Sequence, residues 1–268
     1  MARPRHVHFI GIGGIGVSGI AQLALKRGDV VSGSDLKRSA ITDKLASMGA
    51  QIFVGHQAQN IAGAELVVYS SAIRPDNPEM ASARAAGILL KRRAEFLSDL
   101  MTEKTVIAVT GAHGKTTTSS LSTKLLSAAG LCPTAAIGGI LREDGDNVKC
   151  GDSRYFVAEA DESDGSFLCY APTYSIITNI DLEHMDFYRT YENLLSSFDR
   201  FIGQTRPGGC VFYCREDKPL TDLVSRQSTR SLSYGFSPEA NLWAENVAVG
   251  PCRLSFVCHR GHEALGEV

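Results

Sequence analysis

Residues 106–118 read V-I-A-V-T-G-A-H-G-K-T-T-T. A β-branched apolar run enters a turn flanked by Gly111 and Gly114, and Lys115 and Thr116 then open a helical stretch reaching Ala129. Such a turn aims backbone N–H groups and a helix N-terminus at phosphate oxygens. The lysine adds positive charge toward the β- and γ-phosphates, and the threonine hydroxyl is placed to reach Mg²⁺. The spacing is G-x-x-G-K-T, because Val109 stands where the longer phosphate-loop pattern carries its first glycine. Gly-Lys-Thr alone is also compatible with an ordinary strand–helix turn. With a strand before it and a helix after it, the expectation is a nucleoside triphosphate, ATP.

Two further groups follow. The apolar run ending near Ala158 leads into Glu159-Ala-Asp-Glu-Ser-Asp164, and the run 174–178 leads into Asn179-Ile-Asp-Leu-Glu-His184. Acidic residues at the carboxyl end of a parallel strand stand where α/β sheets bind ligands. Glu159 continues an apolar strand pattern and needs a counter-charge if buried, which a metal ion would provide. Asp161, Glu162 and Asp164 read equally well as a solvated acidic loop. His184 is a second donor for a metal.

A separate glycine cluster, Gly11-Ile-Gly13-Gly14-Ile-Gly16, fits G-x-G-x-x-G directly after the strand-like 7–10, and Asp35 follows the next strand. This is the dinucleotide fingerprint. Taken alone it favours a nicotinamide dehydrogenase, with Asp35 accepting from a ribose hydroxyl or a base N–H. A diphosphate joining a nucleoside to a sugar satisfies the same geometry, so the motif identifies a pyrophosphate and not its owner.

These motifs need parallel sheets to present them. Strand-like runs at 7–10, 30–33, 51–54 and 66–70 alternate with helical runs at 15–27, 40–48 and 78–86, which implies βαβ units. The pattern restarts after 101–105: strand 105–109, helix 115–129, strands 155–159 and 175–178, helix 191–202, strand 210–213. The expected class is therefore α/β, a Rossmann-like domain over 1–104 followed by a P-loop-type ATPase domain over 105–268. A charged fraction of 21% and a net charge of −2 give no reason to expect nucleic acid as a partner. No apolar run approaches the ~18 residues of a membrane span. The N-terminus, Met-Ala-Arg-Pro-Arg-His, lacks the features of a signal peptide. Seven cysteines (Cys132, Cys150, Cys169, Cys210, Cys214, Cys252 and Cys258) form no C-x-x-C pair, so reduced thiols and a cytoplasmic location are expected. Cys210 and Cys214 flank Val-Phe-Tyr, which reads as packing.

Four segments in this order, H-F-I-G-I-G-G-I-G-V-S-G-I-A, T-G-A-H-G-K-T-T-T, E-A-D-E-S-D and T-N-I-D-L-E-H-M-D-F-Y, resemble the Mur ligase family, ATP-dependent amide-forming enzymes that build the peptidoglycan stem peptide. The resemblance runs from about residue 6 to the end. It implies that Gly11, Gly13, Gly14 and Gly16 lie against the diphosphate of UDP-N-acetylmuramate rather than NAD. It implies an ATP loop of Gly111, Ala112, His113, Gly114, Lys115, Thr116 and Thr117, with Lys115 the phosphate lysine. Thr116 and Glu159 become Mg²⁺ ligands and His184 a ligand of a second Mg²⁺. L-alanine is the implied amino acid.

The sequence departs from the family pattern in two ways. Several members hold a metal with a carbamoylated lysine shortly past this histidine, yet no lysine occurs between His184 and Lys218; this fits the alanine-adding branch. The family also has a closing C-terminal domain, and the sequence ends at Val268 inside the expected second domain, so residues 1–268 alone are expected to bind without turning over. Two alternatives stand beside the ligase: a non-catalytic UDP-sugar or ATP-binding module, and an NAD-dependent dehydrogenase.

Overall fold

The computed structural model describes residues 4–141, 146–251 and 253–268. The extreme N-terminus and Cys252, both considered above, lie outside them. By their contacts the residues form two compact units: one of the residues up to Lys104 with Thr123–Phe156, the other of Thr105–Ser122 with Val157–Val268.

In the first unit the chain runs β1 (His6–Ile10), α1 (Ile15–Arg27), β2 (Val30–Asp35), α2 (Ala40–Ser47), β3 (Gln51–Val54), β4 (Leu66–Tyr69), α3 (Pro78–Ala85), β5 (Leu89–Arg92) and α4 (Arg93–Met101). The strands form a parallel sheet in the order β3-β2-β1-β4-β5. Strand order reverses beside β1, so the turn that follows β1 occupies the crevice where parallel α/β sheets bind ligands. Helix α1 covers the sheet and is buried from Val17 to Ala24. It ends at Gly28, whose φ of +96° lets its N–H return to the last carbonyls. Phe9 and Phe96 meet edge to face at 5.6 Å, both fully buried; burying such a ring contributes about 1.5–3 kcal/mol.

The chain continues with β6 (Thr105–Thr110), α5 (Lys115–Ala128), the hairpin β7 (Thr134–Leu141) and β8 (Asp146–Lys149), then β9 (Tyr155–Glu159), β10 (Tyr174–Ile177), α6 (Met185–Tyr188), α7 (Tyr191–Gly203), β11 (Cys210–Cys214), α8 (Lys218–Ser225), β12 (Ser231–Gly235), β13 (Leu242–Gly250), β14 (Arg253–Arg260) and β15 (Glu263–Glu267). The β7–β8 hairpin belongs to the first unit and packs on α1. Asn147 Nδ2 donates to Ile15 O at 2.9 Å, and Asp146 pairs with Lys44 of α2. This approach needs Gly19, because a Cβ there would stand 2.6 Å from Val148 Cγ1.

In the second unit the strands run β15-β14-β13-β12-β11-β10-β6-β9. Those from β13 to β6 pair in parallel, whereas β13–β14 and β14–β15 pair antiparallel. The sheet is thus mixed, where the strand–helix alternation implied a parallel one. Helix α7 buries Leu194, Phe198, Phe201 and Ile202, one apolar stripe at helical spacing, and Thr190 caps its first turn at Asn193 N. Phe201 stacks on Phe167 at 5.0 Å to close this core.

Candidate nucleotide and metal site

Strand β6 lies between β10 and β9, and the turn after it is where chain direction across the sheet switches. Gly111 makes this turn possible. Its φ is +127°, and a Cβ there would meet Thr178 Oγ1 at 2.2 Å and Asn179 O at 2.8 Å. Thr178 Oγ1 donates to the His113 carbonyl at 2.6 Å, and Ala112 N donates to Asn179 O at 3.2 Å, so the turn is braced from the end of β10.

Lys115 begins α5 and folds back over the turn. Its Nζ donates to Gly111 O at 2.8 Å, Ala112 O at 3.2 Å and Glu162 Oε1 at 2.8 Å. Thr116 Oγ1, one residue on, donates to Glu159 Oε1 at 3.1 Å, and Ser119 Oγ reaches Glu159 Oε2 at 3.4 Å. Glu159 is the last residue of β9 and half-buried, and its two carboxylate oxygens are met by these two hydroxyls.

Glu162 is the buried carboxylate. It is 2% exposed, and beyond Lys115 its Oε1 stands 3.5 Å from His184 Nε2. Its Oε2 is buried with no hydrogen-bond partner. Glu162, Glu183 and His184 each offer a ligand atom, all within 4.8 Å of one another. A buried carboxylate oxygen without a donor costs free energy unless a cation faces it. Carboxylate oxygens with one imidazole suit a hard divalent ion such as Mg²⁺, so this donor set fits the metal implied for it.

His184 holds its place in a left-handed backbone conformation, φ +57°, at the head of α6. Non-glycine residues adopt that region sparingly, and such positions concentrate at ligand sites. The neighbouring Tyr188 hydroxyl donates to the Glu162 carbonyl, and burial, then the charges of Glu162, Asp164 and Asp161, push its pKa up. It therefore stays a neutral donor that anchors the Glu162 backbone.

In the first unit, Gly11 (φ +75°) turns the chain out of β1, and Gly11 N and Ile12 N both donate to Ser34 O. Gly14 caps α1 with no side-chain hydrogen bond, and its carbonyl accepts from Val17 N and Ser18 N. Asp35 Oδ2 accepts from Gly13 N at 2.9 Å. The carboxylate thus shapes the glycine turn directly. A Cβ on Gly13 would lie 2.8 Å from that oxygen, and one on Gly16 3.2 Å from Arg93 Nη1. Arg93 sets a cation against the first turn of α1.

Residues 6–105 match the Mur ligase family, catalytic domain, and residues 109–265 match the Mur ligase middle domain. The chain belongs to the Mur ligase family. It is 46% identical over 99% of its length to UDP-N-acetylmuramate–L-alanine ligase from Syntrophobacter fumaroxidans, covering 57% of that protein. It is also 46% identical over 98% of its length to the ligase of the same name from Sorangium cellulosum, covering 56% of it. The chain thus spans little more than half the length of these relatives. Among solved structures, UDP-N-acetylmuramate–alanine ligase from Thermotoga maritima superposes with a TM-score of 0.83 at 28% identity, over 98% of this chain and 60% of that one. A UDP-N-acetylmuramate:L-alanyl-γ-D-glutamyl-meso-diaminopimelate ligase from Neisseria meningitides shares the fold, with a TM-score of 0.87 at 24% identity, over 99% of this chain and 87% of that one.

Within this Mur ligase frame, the residues singled out from sequence fall into three groups: the turn 111–117 with Thr116 and Glu159, His184 with Glu162, and the glycine turn with Asp35. Sequence reasoning missed Glu183 and Arg93 and left Glu162 undecided. A signal for Glu162 was available: Gly165, three residues on, has φ +71°, and its N–H closes a turn onto Glu162 O. For Arg93, inside a Lys-Arg-Arg run, charge alone could not single out the residue facing the turn. No helix among the described residues is long and apolar enough to cross a membrane.

Proposed function

We propose that the chain provides the UDP-sugar and ATP sites of a cytoplasmic UDP-N-acetylmuramate–L-alanine ligase of peptidoglycan synthesis. In this reading residues 1–104 form the UDP-sugar domain and 105–268 the ATP domain. The observation that carries it is the buried Glu162 carboxylate, one oxygen on Lys115 and the other without a donor, set beside His184 at the end of a glycine turn. The 46% identity to ligases of that name supports the choice of substrates.

Amide formation from a carboxylate needs activation, because a carboxylate is a poor electrophile. ATP supplies it by phosphorylating the lactoyl carboxylate of the sugar to an acyl phosphate; the alanine amine then attacks the acyl carbon and phosphate leaves. Such phosphoryl transfer depends on positioning and charge neutralisation. In the turn 111–117 the N–H groups of Ala112 and His113 are held by Asn179, so those of Gly114 to Thr117 at the start of α5 cradle the phosphates, and Lys115 moves its charge from Glu162 to the β- and γ-oxygens. Thr116 with Glu159 would hold one Mg²⁺, and His184 with Glu162 and Glu183 would hold a second. Bound Mg²⁺ lessens the repulsion between the γ-phosphoryl group and the incoming carboxylate. Gly11, Gly13 and Gly14, whose own N–H groups are engaged within the turn, let the backbone come close to the UDP diphosphate, which meets the start of α1 at Ile15 and Gly16, with Arg93 as its counter-charge and Asp35 holding the turn.

The test is a pair of titrations. The chain should bind UDP-N-acetylmuramate in preference to NADH, and Gly13→Val should abolish that binding while ATP affinity survives. Preference for NADH would return the dehydrogenase reading. ATP binding without any UDP-sugar binding would leave only a nucleotide-binding module.

A further inference from the structure

Behind the glycine turn lies a polar cluster that the chemistry above does not use. Glu79, on the first turn of α3, is completely buried. Its Oε1 accepts from Asn60 Nδ2 at 2.6 Å and from Gln57 N at 3.4 Å. Its Oε2 accepts from Ser34 Oγ at 2.6 Å and faces His56 Nδ1 at 3.2 Å. His56 Nδ1 also lies 2.9 Å from Ser34 Oγ. His8 Nε2 stands 3.8 Å from Glu79 Oε1, and its Nδ1 is engaged by Ser32 Oγ at 2.8 Å. Burial acts to raise the Glu79 pKa, yet the His8 ring, Ser34 and Asn60 outweigh it and hold the carboxyl at about 2. The group is therefore an ionised acceptor at neutral pH.

Hydrogen arithmetic then fixes His56. Ser34 Oγ has one hydrogen and gives it to the carboxylate, which has none to give. Both oxygens facing His56 Nδ1 are thereby acceptors toward the ring, so the hydrogen in that contact is carried by Nδ1. A neutral imidazole protonated at Nδ1 presents Nε2 as an acceptor. Among the described residues Nε2 has no hydrogen-bond partner, and 16% of the side chain is exposed. His56 follows β3 at its carboxyl end, and β3 pairs with β2, whose last residue, Asp35, holds Gly13. It thus stands at the ligand-binding rim of the sheet, two strands from β1 and its glycine turn, with Asp35 of β2 between them.

We propose that His56, oriented by Glu79, reads the nucleoside of the ligand in the glycine-turn site, its Nε2 accepting a hydrogen bond from a base imide N–H or a ribose hydroxyl. This rests on the reading that the turn binds a nucleoside diphosphate. Glu79 is a positioning residue, because it acts only through the ring.

The experiment uses UDP as probe, with 3-methyluridine, 2′-deoxyuridine and 3′-deoxyuridine diphosphates as ligands that each lack one donor. His56→Ala should weaken UDP binding about five- to tenfold, the worth of one net hydrogen bond. It should leave unchanged the affinity for the one analogue lacking the partnered donor: the methylated base if the imide is read, a deoxy sugar if a hydroxyl is. Glu79→Gln should give the same ligand-selective pattern. Nitrogen-15 shifts of the His56 ring in the unsubstituted chain should mark Nδ1 as protonated and Nε2 as bare, a readout independent of whether any variant folds. An Nε2-protonated ring, unchanged UDP affinity in folded His56→Ala, or equal loss toward all four ligands would each overturn the proposal. Gly13→Val separates the two levels: UDP binding lost there but indifferent to His56 sinks only this inference, whereas UDP binding that survives Gly13→Val sinks the diphosphate site itself.

Discussion

The side-chain amide of Asn179 pairs with both backbone polar groups of His113: Oδ1 accepts the His113 N–H at 2.8 Å, and Nδ2 donates to the His113 carbonyl at 3.1 Å. A side chain at the end of one strand thereby reproduces, for a single residue of the neighbouring turn, the two-point pairing of a β-bridge. It fixes the shape of the turn that leads into Lys115 and Thr116, the proposed ATP loop. Asn179→Ala should raise the Kd for ATP about tenfold or more, since two hydrogen bonds of ~0.5–1.5 kcal/mol each are lost. UDP-sugar affinity should not change. Calorimetric titration with each ligand checks this, and equal weakening of both would mean that the substitution acts on folding instead.

Gly111→Ala sets a methyl group 2.2 Å from Thr178 Oγ1 at a φ of +127°. The turn must distort, so ATP binding should fall below detection. Coupling this change to Thr178→Ala relieves the nearest contact but not the backbone strain. The double variant should recover ATP affinity only in small part; full recovery would show that the side-chain clash alone matters.

Glu79 gives a pH prediction. Its folded pKa, about 2, lies below its ordinary value of 4.5, so its stabilisation is complete above about pH 4.5 and disappears as pH falls toward 2. The shift corresponds to about 3 kcal/mol as an order of magnitude. Urea unfolding of the unsubstituted chain and of Glu79→Gln should therefore differ most near pH 7 and converge toward pH 2. A difference that stays constant across this range would place the Glu79 contribution in packing rather than charge.

Mg²⁺ alone should raise the unfolding midpoint of the chain, because ligation relieves the unpartnered Glu162 Oε2. His184→Ala should reduce that increment while leaving the midpoint without Mg²⁺ nearly unchanged, as the histidine side chain is one-third exposed. A scanning-fluorimetry series in MgCl₂ reads both quantities. An undiminished increment in the variant would remove His184 from the metal.

Much of the site was legible in the sequence because its parts are local. Gly111, Lys115 and Thr116 announce themselves by a turn geometry that only glycine permits and by a helix start that immediately follows. The same holds for Gly11 and the cap at Gly14. What stayed hidden depends on which segments meet. Glu162 looks like any member of an acidic loop until Lys115 at the start of α5 and His184 at the head of α6 close on it. His56 and Glu79 are separated by 23 residues, and no spacing rule connects them. Strands β13 to β15 were unread because solvent-facing residues such as Glu245 and Asn246 interrupt their apolar pattern.

In the proposed ATP site, the Lys115–Glu162 pair would make nucleotide binding a competition. The lysine already has an anion 2.8 Å away, so an incoming phosphate gains only the difference between itself and that carboxylate. A ligand with a single phosphate would offer little advantage over the resident acid, whereas a triphosphate, carrying more charge, would tip the exchange. The acid would then act as a threshold, disfavouring weakly charged nucleotides that share the same base and sugar. Glu162→Gln should lower that threshold, narrowing the ratio of AMP to ATP affinities measured without Mg²⁺; an unchanged ratio would mean that the lysine is not restrained by its partner.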